Sequence, residues 1–218
     1  MNISSIGEMV FLLGRVENGI VKPLGTCFLL NKPGHFATAA HVINGSDENL
    51  ILVGRNNVVD GYQDVIEKNI RFLSLKIKKI DPLRDICILI GNTDAVFPMS
   101  VLNTDIIGPG EKVTIFGFPH ADQGRVVLTQ QTTEIGAKVL LKSGFIKSKH
   151  IVLNIQARPG QSGGPIFRNS DFSLIGILIG AYAPKVSGGI RMGGIDPQTL
   201  HQTTHAISTE YLEGMLRE

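Results

Sequence analysis

Residues 158–165 read Arg158-Pro159-Gly160-Gln161-Ser162-Gly163-Gly164-Pro165, a serine set among glycines. Glycine lets the backbone bend sharply and approach a ligand closely, because it adopts conformations that other residues avoid. Backbone N–H groups in such a turn can converge on one oxygen and form an oxyanion hole. We therefore interpret Ser162 as a candidate nucleophile. A simple glycine-rich turn is the alternative, since Ser187-Gly188-Gly189 repeats the tripeptide inside a looser segment.

A nucleophilic serine needs a base, and His41 is the strongest candidate among the six histidines. It ends the run Thr38-Ala39-Ala40-His41, in which small side chains leave room around the imidazole. A core histidine that caps a strand is the alternative. His205 precedes an apolar pair and lies either near the substrate or in the packing. The pattern assigns turn, solvated and loop positions to His35, His150 and His201.

The base in turn needs a carboxylate that orients it. Asp85 directly precedes the apolar run Ile86-Cys87-Ile88-Leu89-Ile90. A carboxylate at the entry of a buried strand is costly unless it is hydrogen-bonded or paired. We expect His41 to be that partner, whereas Asp81, before Pro82, is typical of a turn.

Short apolar runs separated by turn signals predict an all-β chain. Asn18-Gly19 is a hairpin signal, and residues 184–203 read as a long loop. Only the end is helical in pattern, where Leu212, Met215 and Leu216 share one face. The predicted strands are Val10–Leu13, Ile20–Val21, Thr26–Leu30, Leu50–Val53, Ile70–Lys78, Ile86–Ile90, Lys112–Phe116, Arg125–Thr129, Ile151–Ile155 and Leu174–Ile179.

Two similar halves, split near residues 103–110, fit two packed six-stranded antiparallel β-barrels. We expect residues 1–218 to form one domain. Its N-terminal barrel would cover about 8–103 and its C-terminal barrel about 110–207, followed by a short α-helix at about 208–217.

The formal net charge of +2 is too small to favour a nucleic-acid or membrane-surface partner. The basic run at Lys138, Lys142, Lys147 and Lys149 is typical of a solvated strand edge. No signal peptide and no apolar stretch of about 20 residues is visible, which predicts a cytoplasmic protein with no membrane partner. Cys27 and Cys87 lie in apolar runs and are expected to be reduced core thiols.

Taken in order, these motifs resemble the chymotrypsin-type serine peptidases, and most closely the bacterial trypsin-like domains of the HtrA/Deg type. The resemblance extends over roughly residues 8–216. It is carried by Thr38-Ala39-Ala40-His41, Asp85-Ile86 and Gly160-Gln161-Ser162-Gly163-Gly164-Pro165, with Gly25–Leu30, Gly110–Val113, Gly117–Pro119 and Leu174–Ile177 in matching places.

The resemblance implies a serine endopeptidase with a double-barrel fold, acting on a protein or peptide substrate without cofactor or metal. Ser162 would attack the peptide carbonyl, and His41 would move the proton. Asp85 would orient the imidazole. The N–H groups of Gly160 and Ser162 would hold the oxyanion.

The resemblance also suggests which residues bind substrate. Gln156 and Ala157 would form the base and wall of the primary specificity pocket. The strand Ile179-Gly180-Ala181 would pair with the substrate backbone. Because no acidic residue falls at the pocket base, we expect an uncharged, small or aliphatic residue before the scissile bond rather than Lys or Arg. If Thr204 and His205 line this pocket, a polar or acidic side chain is favoured instead.

Two features of the sequence depart from the resemblance. HtrA-type enzymes usually continue into a PDZ domain, which is either absent here or outside this sequence. In the digestive enzymes of the family, an aspartate directly before the nucleophile pairs with a new N-terminal amine. Gln161 stands at that place here and carries no charge, so it cannot form this ion pair. We expect loop 184–203, substrate or an activating protein partner to order the turn from Pro159 to Ser162.

A peptidase-fold binding or regulatory module, inactive without a partner, is the rival function. An esterase is disfavoured, because the strand-to-helix Gly-x-Ser-x-Gly context is missing.

Overall fold

The computed structural model describes residues 3–54, 59–66, 70–182 and 203–217. Within them the strands form two closed six-stranded antiparallel barrels followed by a C-terminal helix, which confirms the predicted fold class. None of the helices within these residues is long and apolar enough to cross a membrane.

The first barrel contains six of the described strands, ordered β1-β2-β3-β6-β5-β4 around the barrel. A four-residue helix precedes β1, and a second one follows β3; neither was expected from the sequence. The elements are α1 (Ile3–Ile6), β1 (Val10–Glu17), β2 (Ile20–Leu29), β3 (His35–Ala39), α2 (Ala40–Ile43), β4 (Leu50–Gly54), β5 (Arg71–Asp81) and β6 (Ile86–Gly91).

The second barrel holds the other six described strands, ordered β10-β11-β12-β9-β8-β7. The predicted C-terminal helix is confirmed. The elements are β7 (Lys112–Gly117), β8 (Thr129–Ser143), β9 (Ile146–Leu153), β10 (Pro165–Arg168), β11 (Leu174–Tyr182), β12 (Thr203–Ser208) and α3 (Glu210–Arg217).

Several strand limits differ from the predicted ones. Ile20–Val21 and Thr26–Leu30 belong to one continuous strand, β2. The predicted strand Arg125–Thr129 is wrong: residues 125–128 lie outside the strands, and β8 begins at Thr129. The Gln63 side chain takes up the backbone of Leu128 just before β8: its Nε2 donates to the Leu128 carbonyl and its Oε1 accepts the Leu128 N–H, at 2.8 Å each. Leu128 therefore has no backbone group left for a strand partner. Ser187 and His201 lie outside the described residues.

The core has two parts that reflect the two barrels. One cluster fills the second barrel and includes Ile115, Ile151 and Leu178. A larger cluster fills the first barrel and extends across the junction through Phe167 and Ile207 of the second. Burial of this apolar surface holds the barrels against each other.

Both cysteines are free and buried, as predicted for core thiols. Burial raises the pKa of the Cys27 thiol well above its ordinary value. Burial, with a smaller contribution from the Asp47 carboxylate, raises the pKa of Cys87 to about 12. Neither thiol therefore supplies a thiolate nucleophile near neutral pH.

Candidate active site

His41 and Asp85 are in direct contact, as the sequence predicts. Oδ2 of Asp85 lies 2.6 Å from Nδ1 of the imidazole. Oδ1 of the same carboxylate accepts a hydrogen bond from the His41 backbone N–H at 2.7 Å. Both oxygens of Asp85 are thus used on one residue, which fixes the ring relative to α2. The His41 side chain is 46% exposed and that of Asp85 25%, so the imidazole is open to solvent while the carboxylate is more covered.

A tight turn between β5 and β6 places Asp85. Oδ1 of Asp81 accepts hydrogen bonds from the N–H groups of Leu83 at 3.1 Å and Arg84 at 3.0 Å, which confirms Asp81 as a turn residue. Asp85 has a left-handed backbone conformation, with φ 59°. Its carbonyl oxygen accepts the N–H of Ala40 at 3.1 Å, which ties the turn to the start of α2.

Ser162 lies in the turn that leads into β10, on the second barrel. Its hydroxyl donates to the carbonyl oxygen of Ile179 at 3.1 Å rather than to His41. Its own carbonyl accepts the N–H of Thr26 at 2.9 Å. The serine is therefore held between β11 of its own barrel and β2 of the other, beside the strand that leads to His41.

The turn around Ser162 directs two peptide N–H groups away from the protein interior. The carbonyl of Pro159 accepts the N–H of His120 at 2.8 Å, and the carbonyl of Gln161 accepts the N–H of Gly164 at 3.0 Å. In a trans peptide the N–H points opposite to the C=O. The N–H groups of Gly160 and Ser162 are thus fixed on the other side, and neither donates to a residue that the structure describes.

Only glycine fits at position 160. Its φ is +92°, which side-chain-bearing residues rarely adopt, and a Cβ there would collide with the carbonyl oxygen of Phe118. The glycine therefore lets the turn pass close to residue 118. We call residues 158–162, with these two outward N–H groups, the oxyanion turn.

Thr26 is a residue of this site that sequence reasoning missed. Its hydroxyl donates to the carbonyl of Gly160 at 2.8 Å and accepts the N–H of Phe118 at 3.2 Å. Thr26 lies in the quoted run Gly25–Leu30, but that run gives no signal beyond a strand, because its partners are far away in sequence. Described residues therefore anchor the turn, whereas loop 184–203, where ordering contacts were expected, lies outside the described residues up to residue 202.

The candidate substrate-binding residues divide between two places. Thr204 is buried, and its hydroxyl accepts the N–H of Ala157 at 2.8 Å and donates to the carbonyl of Ile155. Gln156 is exposed on the same segment. Thr204 thus packs against the wall of the predicted pocket.

His205 lies on the other side of β12, because successive strand residues point to opposite faces. It pairs with Gly180 across the ladder, and a Cβ on Gly180 would lie 3.7 Å from Ser162 Oγ. The imidazole is 3.1 Å from the hydroxyl of Thr203. The structure therefore does not place Thr204 and His205 side by side. Ala181, next along β11, pairs with Thr204.

His150, interpreted as a solvated residue, is in fact half-buried on β9. Burial and, to a smaller extent, nearby His205 lower its pKa to about 4, against an opposing contribution from Asp85. Burial also lowers the pKa of His205. Both rings therefore favour the neutral form at pH 7. Among the described residues no group of three or more His, Cys, Asp or Glu could hold a metal ion.

The model of the trypsin-like peptidase domain matches residues 25–177. A probable periplasmic serine endoprotease, DegP-like, from Halomonas elongata is 28% identical over 156 residues, which are 72% of this chain and 29% of that protein. An uncharacterized protein, y4bJ, from Sinorhizobium fredii is 28% identical over 163 residues, 74% of this chain and 22% of that protein. The chain therefore spans less than a third of the length of the curated relatives it matches.

Solved structures share the fold at low sequence identity. The Rv3671c protease of M. tuberculosis, in its active form, has a TM-score of 0.72 and 17% identity over 99% of this chain and 82% of that chain. The MamO protease domain of Magnetospirillum magneticum has a TM-score of 0.69 and 16% identity over 98% of both chains. The HtrA-type protease AlgW, solved with a tripeptide, has a TM-score of 0.66 and 21% identity over 98% of this chain and 61% of that chain. With a family model that spans most of the chain and a double barrel that agrees with it, this protein belongs to the trypsin-like peptidase domain family.

Proposed function

We propose that this protein is a serine endopeptidase that cleaves peptide bonds through His41, Asp85 and Ser162. The observation that carries the proposal is the pair of hydrogen bonds that the Asp85 carboxylate accepts from the ring and the backbone of His41. A carboxylate on Nδ1 holds the proton there and leaves Nε2 free to accept one. A merely structural histidine has no need of a carboxylate that is committed to it twice.

The proposed reaction has two halves. Ser162 Oγ attacks the carbonyl carbon of the scissile bond while its proton passes to Nε2 of His41. The oxyanion that forms is held by the N–H groups of Gly160 and Ser162. The C–N bond then breaks, and His41 gives the proton to the leaving amine. Water repeats the sequence on the acyl-enzyme and releases the acid and the free serine.

Ser162 must leave Ile179 for this reaction to begin. A rotation about its Cα–Cβ bond exchanges the hydrogen bond to the Ile179 carbonyl for one to His41. Such nucleophile–base contacts are often formed only when substrate is bound. The same observation is compatible with the rival proposal of a binding or regulatory module that is inactive without a partner, because Ser162 then keeps its hydrogen bond to Ile179.

The substrate we propose is a protein or peptide, bound along Ile179 to Ala181 as an added strand. AlgW, solved with tripeptide and decapeptide, supports this class of ligand. An uncharged, small or aliphatic residue before the scissile bond is favoured, because Gln156 and Ala157 carry no negative charge and the Thr204 hydroxyl is already bonded to the backbone of Ala157 and Ile155. A peptide library with all residues at that position would test this preference.

Labelling with a fluorophosphonate probe tests the function directly. Wild-type protein should bind the probe covalently at Ser162 and hydrolyse peptides, whereas Ser162→Ala and His41→Ala should fold but lose up to about 10⁶-fold in kcat. If the wild type is not labelled and cleaves nothing, but still binds peptide, the rival proposal replaces this one. If Ser162→Ala keeps its activity, the nucleophile is assigned wrongly.

A further inference from the structure

Behind the oxyanion turn, two side-chain amides form a short chain of hydrogen bonds. Gln161 is fully buried, directly before the candidate nucleophile. Its Oε1 accepts the backbone N–H of Arg158 at 2.8 Å, and its Nε2 donates to Oε1 of Gln131 at 2.7 Å. Gln131 lies on β8, opposite Ile115 of β7. The turn is thus tied through one buried side chain to the wall of the second barrel.

The direction of each hydrogen bond in this chain is determined by chemistry. A backbone N–H can only donate, so Gln161 must present its oxygen to Arg158. Its NH₂ group then faces Gln131, which must supply an acceptor. A buried amide without that acceptor would pay for its lost hydration.

The same amide closes a ring with the turn. The backbone N–H of Gln161 donates to the carbonyl of Arg158 at 3.2 Å, while its side chain accepts from the N–H of that residue. Arg158 is therefore held at both its N–H and its C=O. Between these two anchors lies Gly160, whose outward N–H is one of the two proposed oxyanion donors.

We propose that Gln131 is a positioning residue of the oxyanion turn, acting through the acceptor that it presents to Gln161. This inference rests on the proposed function for its effect on rate. It assigns to a strand residue, 30 positions from Gln161 and outside every sequence motif, the task of keeping two N–H groups aimed away from the protein interior. Its role is to hold the turn in place by hydrogen bonds between neutral amide groups.

The test compares two variants of Gln131 with a matched control. Gln131→Met keeps the length and removes the acceptor, whereas Gln131→Glu keeps acceptor oxygens. Gln130→Met changes the exposed neighbour on the opposite face of β8. For Gln131→Met we expect kcat and the affinity for a peptide boronate to fall by about 5- to 150-fold, with little change in KM. Gln131→Glu and Gln130→Met should stay near wild type.

Backbone amide exchange, followed by NMR, separates this inference from the proposed function. The N–H of Arg158 should exchange faster in Gln131→Met than in wild type or Gln131→Glu, whether or not the protein hydrolyses anything. If the wild type is neither labelled nor active, the proposed function is wrong. The exchange rates of the Arg158 N–H would still show whether Gln131 holds the turn in place. Unchanged kcat and unchanged exchange in Gln131→Met would overturn the inference. Equal damage in Gln131→Glu and Gln131→Met would do so too, because it would point to packing.

Discussion

The hydroxyl of Thr26, on the first barrel, donates to the carbonyl oxygen of Gly160, on the second, at 2.8 Å. The same hydroxyl accepts the N–H of Phe118, and the Thr26 backbone N–H donates to the carbonyl of Ser162. One buried residue thus holds the oxyanion turn at two carbonyls. The shape of the turn therefore depends on how the two barrels are seated against each other.

Thr26→Val should weaken both stability and catalysis. The variant keeps the shape but leaves the buried N–H of Phe118 without an acceptor, so the free energy of unfolding should fall by about 1–3 kcal/mol. The kcat should fall as well, because Gly160 loses its anchor. Urea unfolding and peptide hydrolysis measure the two effects. Thr133→Val, a β8 residue with no side-chain hydrogen bond among those found in the described residues, is the control. Wild-type stability and rate in Thr26→Val would contradict the role of the hydroxyl.

Asp85→Asn should lower kcat by about 10⁴-fold without unfolding the protein. The His41 backbone N–H needs an acceptor, so the new side chain must keep its oxygen there and turn its NH₂ toward Nδ1. That forces the proton onto Nε2, where the base must be free. Asp81→Asn, in the same turn, should keep most of the activity. A rate within about tenfold of wild type for Asp85→Asn would exclude this role of the carboxylate.

Gly160→Ala and Gly110→Ala separate backbone strain from collision. Both glycines have similar φ, +92° and +88°, but nothing lies within 4 Å of a Cβ on Gly110. Gly110→Ala should cost about 1–2 kcal/mol of unfolding free energy and keep its activity. Gly160→Ala should be less stable still and lose peptide hydrolysis, because its Cβ would push the turn away from Phe118. Equal thermal stability of the two variants would argue against the tight approach.

Stability should fall in mild acid because of His150. Its pKa in the folded protein is about 4, below the ordinary 6.5, so the unfolded chain binds more protons between these values. The contribution of this ring to stability is full above pH 6.5 and is lost as the pH falls toward 4. We expect a change on the order of 1 kcal/mol, since the ring is only half-buried and water screens part of the effect. His150→Phe should flatten the stability curve in that window, and an unchanged curve would refute the assignment.

The parts of the site that follow from the sequence are those whose chemistry is local. Ser162 is flanked by glycines and Asp85 directly precedes an apolar strand, so the neighbouring residues in the sequence already indicate an unusual environment for each side chain. Their partner, His41, follows from the need of a buried carboxylate for a cation or a donor. The double barrel follows from short strands and turn signals, and the final helix from its apolar face.

What could not be predicted depends on partners distant in sequence. Thr26 and Gly160 are separated by 134 positions, and nothing near either residue announces the other. The strand predicted at Arg125–Thr129 ends where β8 begins, and residues 130–143 of β8 were not predicted. Gln63, 65 positions from Leu128, bonds the backbone of that residue just before the strand. β12 begins with Thr203-Thr204-His205, and these polar residues do not show the apolar pattern by which a buried strand is predicted. The cytoplasmic location is a prediction that the structure does not address.

The contact between Thr26 and Gly160 also joins two segments of the chain that are synthesised at different times. Such a link closes a very long stretch of chain, and contacts of this kind form late in folding because loop closure costs entropy. During synthesis, β2 leaves the ribosome well before the segment that carries Ser162. The residues of the first barrel, His41 and Asp85 among them, are therefore all synthesised before the oxyanion turn. The shape of the oxyanion turn thus requires both halves of the chain, and a chain that stops before residue 158 has the His41–Asp85 pair without it.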